Sequence, residues 1–433
     1  MRSRWIVLAL ITTVAGACAP EPEPVVLTPG LSAFTGARLI VGDGELIENG
    51  TMVVRDGRIE AVGGSDAVMA PADAEVVDLT GMTVTPGLIN AHGHVNDVRG
   101  LESDPSFYTE AHILYQLGLY ARYGVTTVAS LGGGGPEGVV VRDAEGLDLD
   151  RARLRLSGPV VTADQPDDAT ERVNELADMN VDFIKIRVDD NLGATRKMRP
   201  NVYQAVIEAS HARDLMLTAH LYYLEDAKGL LEAGADFLAH SVRDTEVDDE
   251  LIAMLTESGV CYCPTLMREV STYVYESRPD WFDDPFFTNE ADPGVLMQLQ
   301  APEYQERIRN SESAQTYKAQ LEVAKANLKA LSDAGVRIAM GTDTGPAGRF
   351  QGYFEHGELD LMVESGLTPM QAIVASTGDA AACLGLEGVG TLAAGNWADF
   401  VVYSGNPADD ISNSRTRQSV WIAGNEVPGV IPN

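Results

Sequence analysis

The stretch Thr85-Pro-Gly-Leu-Ile-Asn-Ala-His-Gly-His-Val95 is an apolar segment that ends in two histidines, two residues apart. Successive side chains on an extended segment alternate between faces, so His92 and His94 are predicted to point the same way. Gly93 leaves the space between them open. Neutral imidazole is the commonest protein ligand for zinc and similar metals. Because two histidines alone are more often an ordinary feature near a turn, the interpretation depends on where other ligand-type residues lie.

Four further residues of ligand type lie at, or directly after, runs typical of buried parallel strands. They are Lys185 in 181–187, His220 after 215–219, His240 after 235–239 and Asp343 at the end of 336–343. A helical pattern over 225–233, closed by a glycine, separates two of these runs. Side chains converge at the C-terminal ends of the strands in a (β/α)8 barrel, and its active site lies there. The spacing therefore predicts a TIM barrel whose rim carries these residues.

In content and order these motifs resemble the amidohydrolase superfamily of metal-dependent hydrolases. The matching motifs are Thr-Pro-Gly-Leu-Ile-Asn-Ala-His-Gly-His at 85–94, Phe-Ile-Lys-Ile at 183–186, Ala-His-Leu-Tyr at 219–222, Ala-His-Ser at 239–241 and Gly-Thr-Asp-Thr at 341–344. The resemblance is closest to the branch of imidazolonepropionase and the Xaa-Pro and Xaa-Arg dipeptidases. It implies an α/β fold, in which a (β/α)8 TIM barrel carries a composite β-sandwich built from both termini. Asn90 stands where the family usually has Asp.

The resemblance also implies a binuclear centre of divalent metal ions bridged by a lysine that CO₂ has carbamylated. Carried over residue by residue, the first metal is held by His92, His94 and Asp343, the second by His220 and His240, and the bridge is Lys185. An ammonium group is repelled by two dications, and carbamylation converts it into a carboxylate. The alternatives are a structural or substrate-binding lysine, or one beside a single metal. Zinc fits the ligands, as do Mn²⁺, Fe²⁺ and Co²⁺.

The resemblance assigns two catalytic residues. Asp343 is expected to take a proton from the metal-activated water and pass it to the leaving nitrogen. A turn residue is the alternative for this aspartate. Tyr222 matches a family tyrosine that faces the scissile carbonyl and would donate to the oxyanion, with simple packing as its alternative.

Four arginines near predicted strand ends or near a long loop are candidates for binding a substrate carboxylate. They are Arg187, Arg243, Arg268 and Arg349. An arginine guanidinium binds a carboxylate with two parallel hydrogen bonds. For each one, a surface salt bridge to a neighbouring acid is the alternative. The remaining histidines, His112, His211 and His356, are predicted to have no metal role.

The N-terminus has the pattern of an exported protein. Residues 1–17 combine a basic start, an apolar run and a small-residue end, which predicts a secretory signal peptide of lipoprotein type. Small residues directly before Cys18 resemble a bacterial lipobox, so Cys18 would be the lipidated residue, with plain secretion as the alternative. An acidic, proline-rich linker is predicted over 18–33. A lipoprotein in the periplasm or attached to the outer membrane is therefore expected.

Domain boundaries follow from the alternation of patterns. Short β-like runs broken by Gly-Asp and Asp-Gly turns occupy 34–86 and 389–433, and are assigned to the composite sandwich. Strand and helix patterns alternate over 87–388, which is assigned to the hydrolase barrel. The glycine-rich segment 132–136 is predicted to be a rim loop, facing substrate or merely connecting. The aromatic-rich segment 265–310 is predicted to be a lid or pocket wall.

The amino-acid composition limits the classes of binding partner that the protein is expected to have. The chain has 31 basic and 64 acidic residues, a net charge of −33, which argues against nucleic acid. Cys261 and Cys263 are predicted to be buried thiols that cannot bridge each other, and with Cys383 they are too few for a disulfide framework. A small-molecule substrate is expected, with membrane contact only through a lipid anchor at Cys18, and the chain could form a homo-oligomer.

These observations predict a metal-dependent amidohydrolase. The expected reaction is cleavage of an amide or peptide bond in a small carboxylate-bearing substrate, a dipeptide or an N-acyl amino acid, by metal-activated hydroxide. The alternatives at the same site are hydrolysis of a cyclic amide or a carbamate, and an aminohydrolase-type deamination. From a different class, a solute-binding lipoprotein could keep the fold without catalysis.

Overall fold

The computed structural model describes residues 30–433. The predicted signal peptide, Cys18 and the linker up to residue 29 lie outside the described residues. The strands are β1 Leu31–Ile40, β2 Leu46–Arg55, β3 Arg58–Gly64, β4 Glu75–Asp78, β5 Thr83–Pro86, β6 Leu88–Gly93, β7 Val98–Arg99, β8 Glu102–Ser103, β9 Val125–Ser130, β10 Arg153–Leu156, β11 Phe183–Arg187, β12 Met216–His220, β13 Phe237–Ala239, β14 Cys261–Cys263, β15 Phe400–Tyr403, β16 Arg417–Ile422 and β17 Asn425–Glu426.

Helices separate most strands from β9 onward and extend the insertion after β14. The helices are α1 Glu110–Arg122, α2 Pro136–Asp143, α3 Pro166–Asp178, α4 Pro200–His211, α5 Leu224–Glu232, α6 Asp249–Ser258, α7 Leu266–Tyr273, α8 Pro285–Thr288, α9 Pro293–Leu299, α10 Pro302–Arg309, α11 Glu312–Asp333, α12 Tyr353–Glu364, α13 Pro369–Ala375 and α14 Gly378–Cys383. Short 3-10 turns lie at Pro105–Phe107, Val274–Glu276, Asp280–Asp283 and Ile411–Arg415. Over residues 30–433, none of the helices has the length and apolarity needed to cross a membrane.

Both ends of the described chain contribute to one eight-stranded sheet. Its order is β17-β16-β15-β5-β1-β2-β3, and β4 pairs in parallel with β1. The antiparallel pairing of β15 with β5 joins the C-terminal segment to the N-terminal one. Phe34, Phe400 and Trp421 pack together in its core, with ring centroids 4.9 to 5.7 Å apart. The composite origin of this β region is thus observed, while a second sheet that would complete a sandwich stays a prediction.

The middle of the chain contains two all-parallel sheets. One has the order β10-β9-β6 and the other β11-β12-β13-β14. An isolated parallel bridge between Val161 and Ile186 connects them, and another pairs Tyr262 with Ile338. The apolar faces of these strands pack against the helices in the largest buried cluster, which includes Leu154 and Leu217. This mixed α/β arrangement places the ends of the strands, and the ligand-type residues there, along one edge.

The strand predicted over 336–343 is shorter than expected. Its first part is β-like, since Ile338 forms an isolated parallel bridge with Tyr262 and the backbone of 337–340 hydrogen-bonds to β14 and β6, but the chain turns before Asp343. Asp343 has a left-handed backbone with φ of 57°. The backbone N–H groups of Thr342 and Asp343 both donate to the His92 carbonyl, at 3.0 and 2.6 Å, so they form no strand ladder. The apolar pattern identified a buried segment but not its turn.

The insertion after β14 is a packed helical layer. Its aromatic side chains bury against α12 and against the end of α1; they are Phe282, Phe286 and Phe287, with Trp281 partly buried. The hydroxyl of Tyr123 donates to the Phe286 carbonyl at 3.0 Å. Residues 290–292 and Val295 line a cavity of about 310 Å³ that also reaches Arg349. The segment is therefore the wall of a cavity, and its aromatic residues belong to a core rather than to a free lid.

The cysteine prediction requires a correction. Cys261, at the start of β14, forms a disulfide with Cys383, at the end of α14, across a sequence separation of 122 residues. Cys263 is a buried free thiol, as expected. Sequence spacing correctly excluded a bridge between Cys261 and Cys263, but it carried no information about α14. Only the packing of α14 under the strands brings the two Cα atoms to 5.7 Å.

We expect Cys383→Ser to lower the free energy of unfolding by about 2–5 kcal/mol, because the disulfide closes a long loop in the unfolded chain. Denaturant titration with and without a thiol reductant measures the effect. Reductant should destabilise the wild type by a similar amount and leave the variant unchanged. Equal stability of the oxidised wild type, the reduced wild type and the variant would contradict a structural disulfide.

Candidate metal centre

The histidine pair lies where β6 ends. His92 is the last but one residue of the strand and is buried, and His94 follows directly after it. Nδ1 of His94 donates to the Gly132 carbonyl at 2.9 Å, which leaves the Nε2 lone pair for a metal. Nε2 of His94 is 2.6 Å and Nε2 of His92 is 3.7 Å from Oδ1 of Asp343. The ligand atoms of these three residues all lie within 4.8 Å of one another, as a single metal site requires.

Asp343 is held as a carboxylate in this cluster. Its side chain is buried and contacts both His94 and the guanidinium of Arg349. Burial alone would raise the pKa of the Asp343 carboxyl, but Arg349 and His94 hold this pKa well below its usual value. The charged form suits a metal ligand.

Lys185 projects from β11 into the same region and has no polar partner. It is 3% exposed, and its Nζ makes no hydrogen bond. Burial lowers the pKa of Lys185 to about 8, against the opposing attraction of Asp343. A buried amine without a partner is costly. Its position therefore fits a group that is completed by a bridging modification beside metal ions.

His220 and His240 lie beside the first cluster. The His220 and His240 ring centroids are 4.1 Å apart, and His240 is 4.5 Å from His92. Nε2 of His220 donates to Asp189 at 2.9 Å, and Nδ1 of His240 lies 2.7 Å from the Thr265 hydroxyl, which leaves one nitrogen of each ring for a metal. Burial lowers the pKa of His220 to about 3, so the ring is neutral, as metal ligation requires.

All six residues predicted to hold the metals are thus brought to one place, and their chemistry fits divalent cations. Sequence reasoning missed the groups that orient them. Acids near the four arginines, Asp189 among them, were expected only as salt-bridge partners, whereas Asp189 holds His220. Thr265, which contacts His240, carries no recognisable sequence signal. An acid directly after a strand end was the one available hint for Asp189.

A buried carboxylate on α12 connects the two segments that carry the first site. Oε1 of Glu355 accepts from the Asn90 amide and from the hydroxyls of Thr342 and Thr344, the latter two at 3.0 and 2.8 Å. All four residues are fully buried. Asn90 lies in β6 before the histidine pair, and the two threonines flank Asp343. Glu355 therefore sets the position of β6 relative to the Asp343 turn.

Tyr222 is buried in a packed cluster. Its ring lies 4.6 Å from Tyr223 and 6.2 Å from Tyr317, and the Arg243 guanidinium is 4.7 Å from its centroid. The residue is 2% exposed. This environment favours the packing interpretation, and donation to an oxyanion stays a prediction.

Two of the arginine candidates are internal rather than exposed. Arg243 is wholly buried and Arg268 nearly so, and both lie 2.9 Å from the Glu269 carboxylate. Arg243 also donates to the Leu221 and Ser241 carbonyls. The salt-bridge alternative is therefore wrong only in its location, because both arginines pair with Glu269 in the interior and not at the surface. The cluster therefore contains two positively charged guanidinium groups and one carboxylate to balance them.

Arg187 and Arg349 lie at the edge of the site. Arg187 contacts Asp189 at 3.3 Å and Asn191, which agrees with the salt-bridge alternative. Arg349 contacts Asp343 and lines the 310 Å³ cavity.

The three histidines that were predicted to have no metal role each contact other groups of the chain. His356 is buried between the Ser414 hydroxyl and the Tyr123 carbonyl, at 2.9 Å each. His112 lies 2.8 Å from the Val98 carbonyl. His211 is exposed and pairs with Asp236.

Fold and site together define a mixed α/β protein with a metal-ligand cluster at the strand ends, which is the arrangement of metal-dependent hydrolases. Residues 83–427 match the model of the Amidohydrolase family, and the chain belongs to this family. It is accordingly a hydrolase acting on carbon–nitrogen bonds, in a family that uses divalent metals. This confirms the resemblance derived from the motifs and argues against the solute-binding alternative.

Individual relatives agree with the family. The chain is 25% identical to imidazolonepropionase of Geobacillus kaustophilus over 423 residues, covering 88% of this chain and 89% of the relative. A putative prolidase structure from Bifidobacterium longum matches with a TM-score of 0.74 and 25% identity, over 94% and 96% of the two chains. A Xaa-Pro dipeptidase structure with bound methionine has a TM-score of 0.74 at 20% identity, over 92% and 99%. That last likeness shows the fold, which is of TIM-barrel type in these relatives.

We expect Glu355→Ala to weaken metal binding about 10- to 100-fold, because Asn90 and the two threonines lose the acceptor that positions the ligands. Unpaired buried donors should also cost about 2–4 kcal/mol in unfolding free energy. Glu355→Gln keeps an acceptor oxygen and should retain most of the affinity. Competitive titration with a metal-sensitive dye measures the change.

Glu358 is the matched control for this variant. It is also wholly buried on α12, but it accepts from the Leu266 and Met267 N–H groups, at 2.8 and 2.6 Å, and not from the ligand segments. Glu358→Ala should lose stability without a comparable loss of metal affinity. Equal effects of the two alanine variants on metal affinity would reduce Glu355 to a purely structural role.

Proposed function

We propose that this protein is a metal-dependent amidohydrolase that cleaves an amide or peptide bond in a small carboxylate-bearing substrate, a dipeptide or an N-acyl amino acid. The observation that carries the proposal is the convergence of His92, His94 and Asp343 within 4.8 Å at the strand ends. The neutral, oriented pair His220 and His240 lies alongside. The likeness to the solved structures of a putative prolidase and a Xaa-Pro dipeptidase supports a peptide-type substrate.

The donor set supports two divalent cations, with zinc as the first candidate and Mn²⁺, Fe²⁺ or Co²⁺ as alternatives. His92, His94 and Asp343 would hold one ion, and His220 with His240 the other. A carbamylated Lys185 would bridge them, and the support is its buried Nζ without a partner. When bound, such ions lower the pKa of water and polarise a carbonyl group.

The residues of the chain then handle the proton and the substrate. Asp343 takes the proton of the attacking water and returns it to the leaving nitrogen. Its carboxylate is placed for this by contacts to His94 on one side and Arg349 on the other. Gly132 and Asp189 keep two histidine rings in the orientation that ligation needs.

The buried cluster of Arg243, Arg268 and Glu269 supports an anionic substrate. Two guanidinium groups share one carboxylate in a nearly solvent-free environment. Two of their nitrogens, Nη2 of Arg243 and Nε of Arg268, have no hydrogen-bond partner. Since an uncompensated buried charge is unfavourable, a substrate carboxylate is the natural counter-ion.

We also propose that the parallel strands form one closed (β/α)8 barrel within 87–388. The support is a set of backbone hydrogen bonds across the two gaps between the sheets. The Val161 N–H donates to the Lys185 carbonyl, and the segment 339–340 links β14 to β6, because the Ala339 N–H donates to Tyr262 and the Ala91 N–H donates to Met340, at 2.8 to 3.0 Å. Export is proposed as well, with lipidation at Cys18. The Cys261–Cys383 disulfide supports an oxidising compartment such as the periplasm.

We expect Lys185→Ala to lose half of the bound metal, because the shared ligand is removed while the histidines remain. Metal content per chain after dialysis measures this. Lys329→Ala, which removes an exposed lysine paired with Asp333, is the control and should keep all of its metal. Unchanged stoichiometry in Lys185→Ala would remove the bridge from the mechanism.

The direct test is amine release from a library of dipeptides and N-acyl amino acids, with and without a chelator. We expect turnover that the chelator abolishes and that is confined to substrates with a free carboxylate. Asp343→Asn should fold and lose about 10²- to 10⁴-fold in turnover, since the proton acceptor is gone. Metal-loaded protein without turnover across the library would favour a cyclic amide or a carbamate instead.

A further inference from the structure

A second cavity, lined mainly by basic side chains, lies beside the candidate metal centre. It has a volume of about 580 Å³ and is lined partly by Thr162 and Ala163, directly after the bridge between Val161 and Ile186. The other wall is the loop between β11 and α4. Both segments leave the parallel strands at the end that carries the metal ligands. The cavity therefore opens at the same edge as Lys185.

The charge of this cavity is opposite to that of the chain. Its lining contains four cationic side chains, Arg187, Arg196, Lys197 and Arg199, and two acids, Asp164 and Asp168. The chain as a whole carries a net charge of −33. An anionic substrate is repelled by such a protein at long range, so local cations are needed where it binds.

Two of the four cations are already engaged, and two are available. Arg187 contacts Asp189, and Lys197 contacts Asp226 at 2.8 Å. Arg196 meets Asp164 only at 3.5 Å, between side chains that are 89% and 77% exposed, a geometry that holds neither group in place. Arg199 contacts a backbone carbonyl, and no carboxylate of the described residues lies within 4.0 Å of it.

The loop that carries these arginines is shaped by its own acids. Asn191 and Leu192 have left-handed backbones, with φ of 53° and 58°, which is costly for leucine. Asp189 accepts from the Asn191 N–H at 2.8 Å, and Asp190 accepts from the Gly193 N–H at 3.0 Å. These bonds hold the loop in a conformation that leaves Arg196 and Arg199 beside the cavity.

A chain of contacts links the cavity to the metal ligands. Arg187 lies in its wall and contacts Asp189, whose same oxygen accepts from His220. Arg187 also follows Lys185 by two residues on β11, so both side chains project from the same face of the strand. A molecule bound in the cavity is thus adjacent to the reacting centre.

We infer that this cavity is an anion subsite, in which Arg196 and Arg199 bind a second carboxylate of the substrate. The substrate class is then an acidic dipeptide or an N-acyl acidic amino acid, a dicarboxylate rather than a monocarboxylate. The inference rests on the proposed function. It adds a recognition element separate from the buried pair Arg243 and Arg268.

The test compares the full-length, metal-loaded protein with the variant Arg196→Gln/Arg199→Gln. The substrates are Ala-Glu and Ala-Gln, which match in shape and differ in charge, and the readout is the ratio of their kcat/KM values. The double variant should lower this ratio by about 10- to 100-fold, as expected for lost charge-assisted hydrogen bonds. Arg172→Gln, an exposed arginine paired with Glu175 on α3, is the control and should leave the ratio unchanged.

Calorimetric binding of glutarate and pentanoate separates the failure of the subsite from the failure of the proposed reaction. If Ala-Gln is cleaved and the double variant does not lower the preference for Ala-Glu over Ala-Gln, the subsite is overturned while the proposed hydrolase activity stands. If neither dipeptide is cleaved but the wild type binds glutarate more tightly than pentanoate, and the double variant loses this difference, the subsite is supported and the peptide substrate is overturned. Equal binding of the two acids overturns the subsite in either case.

Discussion

One buried oxygen of Glu355 accepts three hydrogen bonds, and the geometry of the whole site depends on this junction. The three donors come from β6 and from the turn around Asp343, two segments more than 250 residues apart in sequence. The N–H groups of the turn add bonds to the His92 carbonyl. Without this junction the Asp343 carboxylate would have no defined position relative to the histidine pair. Metal affinity is sensitive to such supporting contacts, because they limit the freedom of the ligands.

Burial controls the charge of the centre. The rings of His220 and His240 are enclosed, which keeps them neutral, and their outward nitrogens are engaged by Asp189 and Thr265. Lys185 is enclosed in the same way but has no partner. The region thus combines neutral ligands, one secured carboxylate and one unsatisfied amine. Two cations with a bridging carboxylate would satisfy this combination.

Charge is distributed unevenly over the molecule. The chain carries a large excess of acidic residues, whereas several arginines lie near the strand ends that carry the metal ligands. Some of them are internal, as Arg243 and Arg268 are, and others line open space, as Arg196 and Arg199 do. Sequence position did not distinguish these cases, since all four lie in segments that follow a strand of the parallel sheets. Whether such an arginine is buried or lines open space depends on the tertiary packing around its side chain.

Local pattern was sufficient to identify the strands that carry Lys185, His220 and His240, the helices between them, and the family. An apolar run followed by a polar residue is a short-range property, and burial of parallel strands enforces it. The Cys261–Cys383 bridge, the Glu355 junction and the turn at Asp343 depend on contacts between segments far apart in the chain. No local pattern encodes such contacts, because they arise only when the helices pack against the strands. The order of the ligands could therefore be read along the chain, while their orientation, their charge state and the groups that hydrogen-bond to them were decided by tertiary packing.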